Sequence, residues 1–329
     1  MNILVTGGAG YVGSHVVREL MDTDHDIVTV DNLQKGHEQA VLGGEFYRCD
    51  LADREKLEEI FARHEIDSVI HLAADSLVGE SMQDPHKYYQ NNVSAGLTLL
   101  EVMQKEDVNS FVFSSTAAVY GEPQSVPIEE NDSGEPTNPY GRSKLFFEEI
   151  LADYERAYDF NYISLRYFNA SGAHPSGEIG EDHDPETHLI PLVLETALGQ
   201  REKLEIYGTD YDTRDGTCIR DYIHVSDLAR AHILAVEYLA ENKESAIYNL
   251  GSGDGFSVRE VIETARRVTG REIPAKPARP RPGDPPVLIA SSEKIREELG
   301  WQRNFPDLET IIETAWNWHR NNPRGFSSD

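Results

Sequence analysis

The chain has 329 residues, and 58 Asp and Glu against 30 Lys and Arg give it a formal net charge of −28. A length of about 100–200 residues per domain predicts two domains, and so negative a charge repels nucleic acids and anionic membranes. Apolar residues make up 39% of the chain, which indicates a globular protein, and no apolar run approaches the ~20 residues that span a bilayer. Neither a nucleic acid nor a membrane is therefore expected as a partner.

The first residues, MNILVTGG, run directly into a strand-like segment with no basic region or cleavage site, so a cytoplasmic protein is expected. The two cysteines, Cys49 and Cys218, lack C-x-x-C or metal-type spacing, which predicts reduced thiols and no metal site. Nine lysines stand against 21 arginines, and the acids are spread along the chain. This composition is typical of a halophilic protein, but an acidic enzyme from an ordinary habitat is an equal alternative.

Strands alternate with helices through the first half of the chain. The strand-like segments are 2–5, 26–31, 45–49, 68–72, 110–115 and 162–166, and helical patterns occur at 53–64, 88–105 and 144–158. This alternation predicts an α/β fold with a Rossmann-type doubly wound parallel sheet covered by helices on both faces. Ligands of such sheets bind outside the C-terminal ends of the strands.

The residue composition changes after residue 168, where a polar stretch with Gly and Pro precedes a predicted apolar helix at 189–198. We expect residues 1–168 to form the dinucleotide-binding domain. Residues 221–250 should return to it through a helix at 225–240 and a strand at 246–250. Residues 169–220 and 251–329 should then form a smaller α/β substrate-binding domain.

A glycine-rich turn, Thr6-Gly7-Gly8-Ala9-Gly10-Tyr11-Val12-Gly13, follows the first predicted strand and opens a helix. Gly7, Gly10 and Gly13 allow a tight turn and a close approach to a pyrophosphate, and the helix N-terminus favours phosphate. Glycine is common in turns, but a strand before it, a helix after it and an acid at the correct distance together indicate a dinucleotide site.

That acid is Asp31, at the end of the second predicted strand. Its carboxylate can accept hydrogen bonds from ribose hydroxyls and would repel a 2′-phosphate, so the cofactor should be NAD. Asn32 is expected to assist. Asp50, at the end of the third strand, is placed to reach the adenine, to cap the next helix, or both.

Tyr140 and Lys144 lie four residues apart, so they share one face of a helix. A phenol has a pKa near 10, and the lysine ammonium and a positively charged nicotinamide ring would favour the phenolate. Tyr140 could then act as base and acid, with Thr116 bound to the same substrate oxygen. The Tyr-x-x-x-Lys spacing occurs in many ordinary helices and gains meaning here from the dinucleotide site and the hydroxyl residues Ser114, Ser115 and Thr116 at a strand end.

These motifs resemble one family over nearly the whole chain. The matching segments are TGGAGYVGSH, DNL, VIHLAA, VGESMQDPHKYYQNNV, FVFSSTAAVYG, PTNPYGRSK, LRYFNASGAHPSGEIGED, HLIPLVL and GTCIRDYIHVSDLA. They are similar to the extended short-chain dehydrogenase/reductases and, among these, to the UDP-glucose 4-epimerases. The resemblance implies a tightly bound NAD and a UDP-sugar substrate, with hydride leaving sugar C4 and returning to its other face. It also implies a homodimer, formed through the helices at 88–105 and 144–158.

The resemblance carries site roles to matching positions. It implies catalysis by Tyr140, with Lys144 and Thr116 in support. The expected cofactor contacts are Gly7, Gly10, Tyr11, Val12, Gly13, Asp31, Asn32, Asp50, Leu51, Leu72, Ala73, Ala74, Asn91, Ser114, Tyr140, Lys144 and Phe168. The expected substrate contacts are Thr116, Tyr140, Tyr167, Asn169, His188, Leu189, Tyr207, Arg220, Arg281 and Asp284. Asn169, Arg220 and Arg281 would hold the diphosphate, and for the two arginines surface ion pairing is the alternative.

Three positions depart from the family pattern. Asp75-Ser76 stands where a lysine often lies near the cofactor phosphates, so one charge contact should be lost. His188 replaces an asparagine of some members, and an ordinary helix-start role is its alternative. Leu288 lies where side-chain size separates plain from N-acetylated sugars, and a leucine leaves that choice open.

The nearest rival reaction is 4,6-dehydration, which needs a carboxylic acid and a carboxylate directly after the strand-end threonine. Ala117 and Ala118 stand there, and methyl groups cannot transfer protons. A 4-epimerase of another UDP-sugar (an N-acetylhexosamine, xylose/arabinose or glucuronate) remains open, and so, less favoured, does a non-catalytic NAD-binding protein.

Overall fold

The computed structural model of the protein describes residues 1–281 and 285–326. In these ranges the strands are β1 Asn2–Thr6, β2 Asp26–Asp31, β3 Glu45–Arg48, β4 Ser68–His71, β5 Ser110–Ser114, β6 Asn161–Tyr167, β7 Asn169–Ser171, β8 Leu204–Tyr207, β9 Ile219–Arg220, β10 Tyr222–His224, β11 Ala246–Leu250, β12 Phe256–Ser257, β13 Ala275–Ala278 and β14 Val287–Leu288. The α-helices are α1 Tyr11–Leu20, α2 Arg54–His64, α3 Val78–Ser81, α4 Pro85–Tyr89, α5 Ala95–Lys105, α6 Pro139–Tyr158, α7 Leu189–Ala197, α8 Val225–Asn242, α9 Val258–Thr269, α10 Glu293–Glu298 and α11 Leu308–Asn321. None of these helices has the length and apolar character needed to cross a membrane.

Seven strands form the main sheet, in the order β11-β6-β5-β4-β1-β2-β3. Every pair of neighbours in it is parallel. The chain runs outward from β1 first through β2 and β3 and then, on the other side, through β4, β5 and β6. The strand order therefore reverses between β1 and β4, which is where such sheets bind dinucleotides. The predicted Rossmann-type sheet is confirmed.

The sheet is buried on both faces, as its apolar strands require. Ile3 and Val5 of β1 pack into one core together with α1 and α8. Leu4, between them in sequence, points to the opposite core, which α2, α5 and α6 cover. A separate apolar core in the second half joins α7, α9 and α11 to β8.

Helix α6 begins at Pro139, five residues before the helical pattern that the sequence showed at 144–158. Asn138 caps it by accepting a 2.9 Å hydrogen bond from the Gly141 N–H, and Pro139 occupies the first helical position. Asn at the cap and Pro at the first position are both strong helix-start residues. Tyr140 therefore lies in the first turn of α6, and Lys144 lies one turn further on.

The helix predicted at 88–105 is divided in the structure. It starts with α4, is interrupted by a π-helical stretch at Gln90–Ser94, and continues as α5. Such π-helical turns are rare and often occur at functional sites. The interruption contains Asn91, one of the predicted cofactor contacts.

Segment 221–250 contributes α8 and β11 to the first half of the molecule. β11 pairs with β6 at one edge of the main sheet, and α8 packs into the same core as α1. The remaining strands form three small sheets, β7 with β10, β8 with β13, and β12 with β9 and β14. The domain boundary at residue 168 stays a prediction.

Buried Asp221 holds together three segments of the second half. Its Oδ1 accepts a 2.7 Å hydrogen bond from the Ser252 N–H, and its Oδ2 accepts a 3.0 Å bond from the Ala290 N–H. Its backbone oxygen accepts a 2.7 Å bond from the Asn169 side chain. Asp221 thereby fixes two predicted substrate contacts, Asn169 and its chain neighbour Arg220.

Candidate active site

The glycine-rich turn packs against the chain that follows β4. Gly7 has φ 73°, and a Cβ added there would lie 2.5 Å from the Ala73 nitrogen. A Cβ on Gly13 would lie 2.0 Å from the Gly7 oxygen. Both positions therefore require glycine. Helix α1 starts at Tyr11 with no side chain capping its N-terminus, so its first N–H groups suit an anion.

A cleft at the β1–β4 switch point gathers most of the predicted cofactor contacts. The ten predicted residues that line it are Gly7, Gly10, Asp31, Asn32, Asp50, Leu51, Leu72, Ala73, Ala74 and Asn91. Tyr11, Val12 and Gly13 form the adjoining first turn of α1. Lys35 also lines the cleft, and the sequence-based search missed it because it lies outside the glycine motif. The glycine turn, the uncapped start of α1 and the acid predicted to bind ribose, Asp31, are together suited to NAD.

Asp31 is 9% exposed and already holds the turn in place. Its Oδ2 accepts a 3.1 Å hydrogen bond from the Ala9 N–H, and its Oδ1 accepts a 2.8 Å bond from the Leu33 N–H. Burial raises the pKa of Asp31, while these N–H donors lower it. A carboxylate has about four lone-pair positions, so two remain for ribose hydroxyls.

Asp50 is joined to Asn32, whose side-chain amide donates a 2.9 Å hydrogen bond to its Oδ2. The other oxygen accepts from the Ala52 N–H at 2.9 Å. Helix α2 is capped by Asp53, which accepts from the Lys56 N–H. The helix-cap interpretation of Asp50 is therefore wrong, because α2 starts three residues later than that role requires.

Asp75, at the departure from the family pattern, is 7% exposed and has two partners. It accepts a 2.8 Å hydrogen bond from the Asn91 side chain, and Lys87 Nζ lies 3.2 Å from its other oxygen. Lys87 also pairs with Glu80 at 2.9 Å. Asp75 thus orients Asn91 at the cleft, and Lys87 places a positive charge beside it from α4.

The catalytic candidates meet where β5 ends against α6. Lys144 is 3% exposed and donates a 2.8 Å hydrogen bond to the Ser114 carbonyl. The Thr116 side chain lies close enough to Tyr140 to lower the pKa of its phenol. Tyr167, at the end of β6, lies with its hydroxyl 2.6 Å from the Ser114 Oγ. The predicted Tyr-Lys-Thr group is therefore assembled at the C-terminal edge of the sheet.

Burial by the protein chain alone shifts the pKa values of both Tyr140 and Lys144. It raises the pKa of Tyr140 above the usual 10.0, and the Thr116 side chain lowers it by less. Burial also lowers the pKa of Lys144 to about 7, although Glu148 raises it in part. The sequence predicts a lowered pKa for Tyr140, whereas burial within the protein raises it. The lowered pKa depends on protonated Lys144 and on the positive ring of the cofactor.

Glu148 and Arg166 form a buried ion pair directly behind the catalytic group, and the sequence-based search missed both. Arg166 Nε donates a 3.0 Å hydrogen bond to Glu148 Oε1, which also accepts from Ser115 Oγ at 2.5 Å. Arg166 Nη1 reaches the Tyr120 hydroxyl at 2.8 Å. The available signal was spacing, because Tyr140, Lys144 and Glu148 follow one another at four-residue intervals on α6.

Phe168 and Leu288 pack against one small apolar cluster, formed by Ala117, Val119, Tyr120 and Ile128. Leu288 belongs to β14, where it pairs with Arg220 of β9. Leu288, which is predicted to tune the sugar pocket, therefore packs against residues that follow Thr116 in the chain. Arg220 lies beside it on the neighbouring strand.

The remaining predicted substrate contacts fall into two groups. The Arg281 guanidinium lies 4.3 Å from the centroid of the Tyr207 ring, a cation–π contact at the end of β8. His188 immediately precedes α7 without capping it through its side chain, and Leu189 begins the helix. Asp284 lies outside the described residues.

The sheet order, the glycine turn against Ala73 and the group of Tyr140, Thr116 and Lys144 at the strand ends define an NAD-dependent enzyme with short-chain dehydrogenase chemistry. The chain belongs to the NAD dependent epimerase/dehydratase family, which residues 3–251 match.

Similar proteins extend over the full length of the chain. A UDP-glucose 4-epimerase of Halalkalibacterium halodurans is 56% identical over 329 residues, covering 100% of this chain and 98% of that protein. A crystal structure of a UDP-glucose 4-epimerase is 53% identical with a TM-score of 0.98, covering 100% of both chains. The crystal structure of UDP-glucose 4-epimerase from Bifidobacterium longum in complex with NAD⁺ and UDP is 40% identical, with a TM-score of 0.92, and covers 99% of this chain and 100% of that chain.

Lys144→Met should change how stability depends on pH. The folded protein holds the Lys144 pKa at about 7, against 10.5 as the ordinary value. Between these values the unfolded chain binds one more proton than the folded chain, so the buried lysine makes stability rise with pH by up to about 1.4 kcal/mol per pH unit. Below pH 7 both states are protonated and this slope disappears.

Urea unfolding of both proteins between pH 7 and pH 9 measures this difference. The free energy of unfolding of the wild type should gain on that of Lys144→Met as the pH rises. Parallel curves would contradict the lowered pKa of Lys144.

Proposed function

We propose that the protein interconverts UDP-glucose and UDP-galactose by inverting C4 of the sugar, as an isomerase that keeps NAD bound. The observation that carries this proposal is the placement of Tyr140, Thr116 and Lys144 together at the ends of the sheet strands, with two alanines directly after Thr116. The similar proteins that match the whole chain are UDP-glucose 4-epimerases, which supports the proposal.

Tyr140 acts as the acid and base at the 4-hydroxyl. It removes the hydroxyl proton while the C4–H bond breaks, and Thr116 donates a hydrogen bond to the same oxygen. Gly7, Gly10 and Asp31 would hold NAD, which would supply reversible hydride acceptance at C4. Tyr140 then gives its proton back to the 4-oxygen, so the reaction has no net oxidation. Protonated Lys144 stabilises the phenolate from one helical turn away.

The second half of the chain is proposed to hold the UDP part of the substrate, in a domain of residues 169–220 and 251–329. Asn169, Arg220 and Arg281 would bind the diphosphate, because arginine can grip phosphate with two N–H groups at once. Tyr207 and Leu189 would flank the uracil, Tyr167 would line the sugar site, and Asp284 would reach the uridine ribose. The contact of Arg281 with Tyr207 supports placing both at one end of the substrate.

Another UDP-sugar is the second candidate substrate. Leu288 packs with Phe168 beside Ala117, so the volume at this position bears on the space next to the sugar. A leucine is intermediate in size, and the relative rates on plain and N-acetylated UDP-sugars measure the preference.

Incubation with UDP-galactose and no added NAD should give UDP-glucose. UDP-N-acetylgalactosamine, UDP-xylose and UDP-glucuronate, tested in parallel, identify a different preference by a faster rate. Tyr140→Phe should lower turnover at least about 100-fold, the range for loss of an acid–base group, while bound NAD is retained.

Tyr158→Phe is the matched control, because Tyr158 lies on the same helix and is 47% exposed. It should keep full turnover. The proposal fails if none of the four sugars is converted, and the role of Tyr140 fails if Tyr140→Phe is fully active.

We further propose a homodimer in which α5 and α6 pair with those of a second chain. Phe146 on α6 is 42% exposed and stacks on Tyr89, so an apolar surface is available there. Sedimentation equilibrium should give twice the 37.0 kDa of one chain. Phe146→Glu should shift the mass toward one chain, while Met21→Glu, at an equally exposed residue of the α1 C-terminus, should not. A monomeric wild type would refute the dimer.

We also propose a cytoplasmic protein adapted to concentrated salt. Its cysteines are both buried and form no disulfide in the described residues, which suits a reducing compartment. With a net charge of −28, salt should relieve the self-repulsion of the folded state. The thermal unfolding midpoint should therefore rise between dilute buffer and molar KCl. An unchanged midpoint would refute the halophilic proposal.

A further inference from the structure

Two histidines and two glutamates converge in the segment between β7 and α7. They are Glu181, His183, Glu186 and His188, in the pattern Glu-x-His-x-x-Glu-x-His. One ligand atom from each lies within 4.8 Å of the ligand atoms of the other three. None of these side chains takes part in the proposed acid–base chemistry. Of the four, His188 is a predicted substrate contact.

The distances between these side chains suit a single small cation, although Glu186 approaches each histidine with a different oxygen. The His183 Nδ1 lies 3.2 Å from Glu181 Oε1 and 3.7 Å from Glu186 Oε2. The His188 Nδ1 lies 2.9 Å from Glu181 Oε1 and 3.0 Å from Glu186 Oε1. Bonds of about 2.0–2.2 Å to Zn²⁺ place tetrahedral ligand atoms about 3.4 Å apart. The two distances from Glu181 Oε1, 3.2 Å to His183 and 2.9 Å to His188, lie near that value.

Hydrogen bonding between the four side chains accounts for only part of this closeness. His188 Nδ1 and Glu186 Oε1 form a hydrogen bond of acceptable geometry. Buried Glu181 Oε1 and His183 Nδ1 have no hydrogen-bond partner among the described residues, although they lie at hydrogen-bond distance from each other. Two such atoms lie close together without hydrogen-bonding angles when the lone pairs of both point to a third position, where a cation could bind.

The electrostatics of the segment also favour a cation. The Glu181 and Glu186 side chains are 4% and 8% exposed, so two carboxylates lie out of solvent together. A divalent ion bound by two carboxylates and two neutral imidazoles gives a site without net charge, which is the inexpensive way to bury these groups.

We propose that Glu181, His183, Glu186 and His188 bind one Zn²⁺ ion as a structural, four-coordinate site. Imidazole and carboxylate are ordinary zinc ligands, and four protein ligands are typical of structural zinc. The histidine side chains are 26% and 37% exposed, which leaves a route of entry. This proposal departs from the expectation of no metal, which rested on the cysteines, and it does not depend on the proposed function.

The ion would fix the start of α7 relative to the NAD cleft and α11. The His183 ring lies 6.0 Å from the ring of Tyr11, in the first turn of α1. The Glu181 carbonyl accepts a 3.3 Å hydrogen bond from Trp318 of α11. His188 bound through Nδ1 keeps its proton on Nε2 and remains a hydrogen-bond donor toward the predicted substrate.

Equilibrium dialysis against Zn²⁺, after treatment of the full chain with a chelator, tests the site directly. Metal analysis should find one zinc per chain, and Mg²⁺ at the same concentration should not bind. His183→Gln and Glu186→Gln should each weaken zinc binding at least about 10-fold, since even indirect partners of metal ligands contribute that much. Circular dichroism establishes that the variants are folded.

His64→Gln is the matched control, because His64 pairs with one glutamate, Glu45, at 3.7 Å instead of with two. It should bind zinc as the wild type does. Co²⁺ in place of Zn²⁺ should give the intense visible absorption of four-coordinate cobalt, and His183→Gln should lose it.

Absence of bound zinc in the wild type would overturn the proposal, since the cluster would then hold protons only. Equal loss in His64→Gln and His183→Gln would overturn it as well. Zinc binding is read by metal analysis and absorption, and epimerase turnover is read by product, so either proposal can fail while the other stands.

Discussion

Helix α6 makes the active site possible because it lies with three successive turns against the ends of β5 and β6. Tyr140, Lys144 and Glu148 project from those turns at four-residue intervals. Lys144 is tied to β5 through the Ser114 carbonyl, and Glu148 is tied to β6 through Arg166. The helix cannot shift along the sheet without breaking a buried hydrogen bond and a buried ion pair. The first turn of α6, which carries Tyr140, is thereby held against the ends of β5 and β6.

The same burial that positions these groups also sets their charges. It raises the pKa of Tyr140 and lowers that of Lys144, so the chain alone disfavours the reactive phenolate. A positively charged cofactor beside the phenol reverses that balance. The chemistry is in this way coupled to occupancy of the cleft, which suits an enzyme that keeps its NAD through the whole cycle.

The second half of the chain is organised around buried polar groups more than around one large sheet. Asp221 joins three segments through backbone N–H and amide donors, and Arg220 and Asn169 are positioned as a result. The proposed zinc site would do the same for the start of α7. Short strands supply little register by themselves, so buried charged and polar groups position the predicted substrate contacts instead.

The sequence by itself determined the Rossmann-type sheet and the glycine turn with Asp31, and it placed Tyr140 and Lys144 four residues apart as the predicted catalytic pair. These depend on periodicity and short spacing, which are local properties of a chain. Only the tertiary structure decided what depends on distant partners. It paired Arg166 with Glu148, set Lys87 beside Asp75, excluded Asp50 as a helix cap and brought Glu181 within ion-pairing distance of His183 and His188. Side-chain direction and burial emerge from packing, and packing joins residues whose separation in sequence carries no signal.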